Sequence, residues 1–136
     1  MKTRINGIRI IPTEDEEQIA VMRWARISES RYPELELLHH IPNGGKRGKR
    51  EASVFKAMGV KAGVPDLFLP CAREGYHGMY IEMKALDGRV SKEQISMCQA
   101  LAQQGYKCLV CYGADEAIAA LEEYLRSGDA KEDRRD

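Results

Sequence analysis

From Ile19 to Arg26 the residues Ile19, Met22 and Ala25 or Arg26, with Val21 and Trp24 beside them, supply the broad apolar face of an amphipathic helix. Thr13 is placed to cap it, and Glu16 three positions on completes a capping box, with Glu14 to Glu17 complementing the positive helix end. The helix is expected to reach about Ser30, limited by Pro33. Leu35 to Ile41 then reads as a first strand, closed by the turn-forming Pro42-Asn43-Gly44-Gly45. Arg50 to Met58 fits a short helix with Ala52, Phe55 and Met58 inward, and Gly59-Val60-Lys61-Ala62-Gly63 permits a backbone turn that bulkier residues would resist. Leu67 to Leu69 and Met79 to Ala85 are two strands joined through a turn at Arg73 to Gly78.

After a turn at Leu86-Asp87-Gly88-Arg89, Ser91 caps a helix to about Gln104, which Gly105 ends. Tyr106 to Tyr112 is nearly continuous in apolar character, as expected of a strand covered on both faces. A last helix carries Ala117, Ile118, Leu121, Tyr124 and Leu125 on its apolar side and is expected to stop at Gly128, leaving 129–136 as a charged, frayed tail. Residues 1–128 thus read as one domain, with strands and helices mixed and no internal repeat.

Two of these strands carry charges where chemistry could use them. Side chains alternate along a strand, so Glu82 and Lys84 project together while Ile81 and Met83 point away. Asp66 stands at the head of the preceding strand, and Pro65 fixes its own φ and biases Val64 toward extended geometry, which aims the carboxylate. Two carboxylates and an ammonium at one point suit metal-dependent hydrolysis of a phosphodiester; a solvated hairpin with a charged face is the plain alternative.

The ordered set Ile41-Pro42-Asn43-Gly44-Gly45, Gly59-Val60-Lys61-Ala62-Gly63-Val64-Pro65-Asp66, Ile81-Glu82-Met83-Lys84 and Ser91 to Gln94 resembles the stand-alone VRR-NUC nucleases, a branch of the PD-(D/E)xK superfamily common in phage and prophage genomes. The resemblance runs from about Glu14 to about Leu125. It implies an α/β fold with the PD-(D/E)xK core, a central mixed sheet of about four strands flanked by helices. It also implies a site in which Asp66, Glu82 and the Met83 backbone carbonyl bind Mg²⁺ or Mn²⁺, with Glu14 completing it directly or through water. Lys84 would orient or activate water, and Gln94, with Gln18 as a weaker candidate, would contact the phosphate or water network. Glu17 is the rival to Glu14, and helix-end capping is the alternative role of either. By the same resemblance the partner is branched DNA, a four-way (Holliday) junction cut by a homodimer. A flap or nicking endonuclease and a non-catalytic DNA-binding module stand as alternatives.

The 136 residues carry no formal net charge, which taken alone argues against a nucleic-acid partner. The distribution changes that picture. Lys46, Arg47, Lys49, Arg50, Lys56 and Lys61 crowd a segment whose one acid is Glu51, a patch able to hold phosphates or simply to solvate a loop and helix face. His39 and His40 at the end of the first strand read as surface or supporting groups, with a catalytic histidine as the weaker alternative. A composition 43% hydrophobic and 31% charged, with no apolar run near the roughly 20 residues that span a bilayer and no signal-like N-terminus, leads to the expectation of a cytoplasmic protein with no membrane partner and no organic cofactor. Cys108 and Cys111 have zinc-knuckle spacing, but residues three apart on a strand face opposite ways. Cys71, Cys98, Cys108 and Cys111 are therefore expected as buried reduced thiols.

Overall fold

The computed structural model describes residues 4–42 and 48–133 of the chain. A four-stranded mixed sheet lies between helices in the order β3(His39–His40), β4(Leu67–Leu69), β5(Met79–Lys84), β6(Lys107–Tyr112). β3 and β5 run antiparallel to β4, and β6 runs parallel to β5 after a crossover through α3(Lys92–Gln103). Helices α1(Glu14–Ser28) and α4(Ala114–Asp133) pack on one another and on one face of the sheet. Val21, Ala25, Leu67, Leu69, Met79, Ile81, Met83, Ala117, Leu121 and Leu125 form the core between them. α3 packs over β6 on the opposite face. Among the described residues no helix is long and apolar enough to cross a membrane.

Both expected helix starts form. Thr13 accepts from the Glu16 backbone N–H while the Glu16 carboxylate accepts from the Thr13 N–H, at 3.2 and 3.0 Å. Ser91 and Gln94 make the same reciprocal pair. The buried stripe of α1 is centred on Val21 and Ala25, whereas Ile19 is exposed, so the helix is rotated from the face expected around Ile19.

Several expectations are corrected. Leu35 to Ile41 is not one strand: Pro33–Leu37 is a 3-10 turn, and only His39–His40 joins the sheet. Pro33 occupies the first turn, where its missing N–H costs nothing, and the buried pair Leu35 and Leu38 is spaced by three rather than two. The N-terminus holds a hairpin, β1(Arg4–Ile5) with β2(Ile8–Arg9), turned at Asn6-Gly7 with φ of 50° and 78°. That is the backbone an Asn-Gly pair favours. Arg9 ties the hairpin to Asp87 at 3.0 Å.

α2(Lys49–Met58) forms, but its expected inner side does not: no residue of it is buried, and Met58 is 74% exposed. α4 does not stop at Gly128 and continues to Asp133. Gly128 serves there as space, since a Cβ would run into the Arg73 side chain. Finally, Cys98 of α3 and Cys108 of β6 form a disulfide, while Cys71 and Cys111 are free and buried. Asn43, Gly44, Gly45, Lys46 and Arg47 lie outside the described residues.

Candidate active site

Asp66 ends the loop that leaves α2 and stands just before β4. Its Oδ2 accepts the Met83 backbone N–H at 2.8 Å, so the carboxylate is pinned across the strand pair. The loop is held against α3 at Gly63, whose φ is +85° and whose missing Cβ leaves room for the backbone of Glu93. This contact seats the start of α3 beside β5. From α3, Gln94 uses its Oε1 on the Ser91 N–H and its Nε2 on Glu82 Oε2 at 3.1 Å, so one amide both closes the helix cap and orients the carboxylate.

Glu82 is 1% exposed and Lys84 and Asp66 are 7% exposed, on a strand pair whose remaining buried positions are apolar. Lys84 Nζ lies 3.7 Å from Glu82 Oε2 and 4.0 Å from Glu14 Oε2. Carboxylate oxygens of Glu14, Asp66 and Glu82 fall within 4.8 Å of one another. Burial first, and then the facing Asp66 carboxyl, pushes the Glu82 carboxyl up to about 8, against the pull of Lys84. Burial also raises Glu14, again opposed by Lys84.

Two observations test whether this cluster fits a cation. Three carboxylates converge with one ammonium among them, an arrangement short of positive charge. Glu82 Oε1 is buried with no hydrogen-bond partner, an orphan that a hard divalent ion would satisfy through oxygen. The residues fit a hard metal cation.

The geometry also separates Glu14 from Glu17. Glu17 Oε1 accepts the Ala114 N–H at 3.3 Å, capping α4, while Glu14 joins the cluster. Gln18 is half-buried on the same helix. Lys49, Arg50, Lys56 and Lys61 are exposed, on α2 and on the loop leading to Asp66, whereas Lys46 and Arg47 fall outside the described residues. His40 donates its Nδ1–H to the Asp66 carbonyl at 2.8 Å, beside the site. That contact depends on the β3–β4 register, which no local pattern encodes. Glu17's capping role was equally hidden, because its partner lies 97 residues away.

The VRR-NUC domain family matches residues 8–115. The chain belongs to that family. A solved structure described as a VRR_NUC domain protein is similar over 85% of this chain and 90% of its own, with 36% identity and a TM-score of 0.73. No curated protein matches the chain. VRR-NUC membership implies a nuclease-like function on DNA, and the mixed four-stranded sheet between helices is the fold of that solved relative.

Proposed function

We propose that this VRR-NUC chain is a divalent-metal-dependent, structure-specific DNA endonuclease that hydrolyses phosphodiester bonds and acts on four-way junctions as a homodimer. The observation that carries the chemistry is the convergence of Glu14, Asp66 and Glu82 around one point, with Glu82 Oε1 orphaned there and Lys84 alongside. Mg²⁺ or Mn²⁺ held by these carboxylates and the Met83 backbone carbonyl would supply Lewis acidity toward a phosphate oxygen. Lys84, whose Nζ is 3.7 Å from Glu82 Oε2, would hold the attacking water and offset charge growing on the phosphoryl oxygens. The water oxygen bonds to phosphorus as a phosphorus–oxygen ester bond breaks. Gln94, which donates to Glu82 Oε2, would keep that carboxylate turned toward the centre.

Lys49, Arg50, Lys56 and Lys61, with Lys46 and Arg47 in the neighbouring segment, are read as phosphate contacts. Recognition by this domain is read as resting on DNA shape and backbone contacts more than on base sequence, and a two-fold dimer would pair two sites with two opposed strands of a junction. Cytoplasmic residence and a phage or prophage source accord with this reading. The test is a panel of four-way junctions, flaps, linear duplex and single strands, incubated with Mg²⁺ or Mn²⁺ alongside Glu82→Ala as the contamination control. Metal-dependent junction cutting that Glu82→Ala lacks is the expected result. Efficient cutting of linear duplex with intact junctions would overturn the substrate assignment.

A further inference from the structure

The sheet face that carries Asp66, Glu82 and Lys84 carries a second row of side chains. Strand pairing aligns His39 with Phe68, Phe68 with Tyr80, and Tyr80 with Cys108. Tyr80 stands two residues before Glu82, so this row lies one rung, roughly 7 Å, from the carboxylates. Its rings touch. Phe68 and Tyr80 stack with centroids 4.3 Å apart and 22° between planes. His39 meets Phe68 edgewise at 5.8 Å, and Tyr106 meets Phe68 and Tyr80 edgewise at 5.9 and 5.3 Å. Gly78 makes the space, since a Cβ there would lie 2.9 Å from the Phe68 ring.

Phe68, Tyr80 and Tyr106 are not part of the hydrophobic core on the other side of the sheet. α3 packs over β6. Phe68, Tyr80 and Tyr106 are only partly buried, and His39 is exposed. An ordinary solvated face of an antiparallel pair would place polar residues at these positions, and a closed core would bury them. Stacked, partly open rings continuous with a phosphate-handling centre have the properties of a base-stacking platform, which accepts every base because each has a π face.

A strand whose phosphate sat at the carboxylate row and which followed β5 back toward Met79 would pass its neighbouring nucleotide over this aromatic row. A base held in a duplex is already stacked and paired, and extruding it carries an energetic penalty that an unpaired nucleotide escapes. We propose that Phe68 and Tyr80 bind the unpaired base of the nucleotide adjoining the scissile phosphate, so that the preferred DNA has at least one unpaired nucleotide at the cut. The inference rests on the nuclease reading above and adds a requirement to it: a fully paired four-way junction must open a base pair at its branch point when it binds, so a junction that already carries an unpaired nucleotide there is the better substrate.

The probe is a branched oligonucleotide with one unpaired nucleotide at the mapped cut, compared with a twin in which that nucleotide is an abasic tetrahydrofuran. Affinity is measured by fluorescence anisotropy in Ca²⁺ and cleavage in Mn²⁺. Removing the base is expected to lower wild-type affinity about 10-fold or more. Phe68→Leu/Tyr80→Leu should bind both oligonucleotides at the lower level, and Phe68→Tyr/Tyr80→Phe should restore the difference. A wild type that binds both within about two-fold of each other, or a leucine pair that keeps the full difference, overturns the proposal while metal-dependent cleavage leaves the nuclease reading standing. A wild type that cuts neither substrate with any divalent metal overturns both.

Discussion

Alternate residues of β5 face environments of opposite kind. Met79, Ile81 and Met83 point into the apolar layer under α1 and α4 and are fully buried. Glu82 and Lys84 point the other way and are buried almost as deeply. Burial of the first set stabilises the fold through apolar area removed from water. Burial of the second set opposes it, because a desolvated carboxylate loses hydration that its partners only partly replace, and Glu82 Oε1 has no partner at all. The contrast teaches that the charged positions are tolerated on the strength of the apolar face, which supplies the stability, and that their burial has to be accounted for by something other than stability, as the proposed chemistry does.

The largest effect expected from breaking this contrast is on catalysis. Asp66→Ala or Glu82→Ala should lower metal-dependent cleavage by about 10³-fold while leaving DNA affinity largely intact. Equal losses of binding and cleavage in a filter-binding assay would instead make these residues part of a DNA-holding surface. On stability the two faces should respond with opposite sign. In urea unfolding with EDTA, Ile81→Ala should cost about 2–5 kcal/mol, whereas Glu82→Met should be neutral or stabilise by about 1–4 kcal/mol.

The Cys98–Cys108 disulfide fastens α3, and so Gln94, to the charged face. Its cysteines are 10 residues apart in sequence, so reducing it should lower unfolding free energy by about 3 kcal/mol, measured with and without reductant. A further change is expected with pH. The Glu82 carboxyl is raised in the folded protein from its ordinary 4.5 to about 8, so the folded state favours the protonated form. Its contribution to metal-free stability is therefore present below pH 4.5 and lost as pH rises through about 8. Glu82→Gln should flatten that slope in urea titrations. The smallest effect belongs to Gln94→Ala, which frees Glu82 Oε2 and one cap bond and should reduce kcat about 10-fold at a stability loss of about 1 kcal/mol.

Local chemistry made much of this readable from sequence. Thr13 with Glu16, and Ser91 followed by Gln94, announce helix starts because their hydrogen bonds close within one turn. The period-two alternation of Glu82 and Lys84 assigns them one face without knowledge of the neighbours. The Asn6-Gly7 turn was equally local, but the strands on either side are two residues long, too short for an alternating pattern to announce them. What could not be read depends on distant partners. Gly128 looks like a helix stop until Arg73 is seen beside it, and Glu17 looks like an equal of Glu14 until Ala114 claims it. Leu35 to Ile41 resembles a strand by composition, yet Pro33 and the packing of Leu35 and Leu38 wind its first half into a 3-10 turn. The aromatic row emerges only when four strands are set in register.

The central claim is that the buried charges on the second face of β5 exist to hold a divalent cation. Calorimetric titration of Mn²⁺ into wild type and Glu82→Gln, at neutral pH and without DNA, tests it directly. Saturable binding by wild type that weakens by about 10-fold or more in Glu82→Gln is the predicted result. Equal affinity in the two proteins, or no saturable binding by a folded wild type, would contradict it.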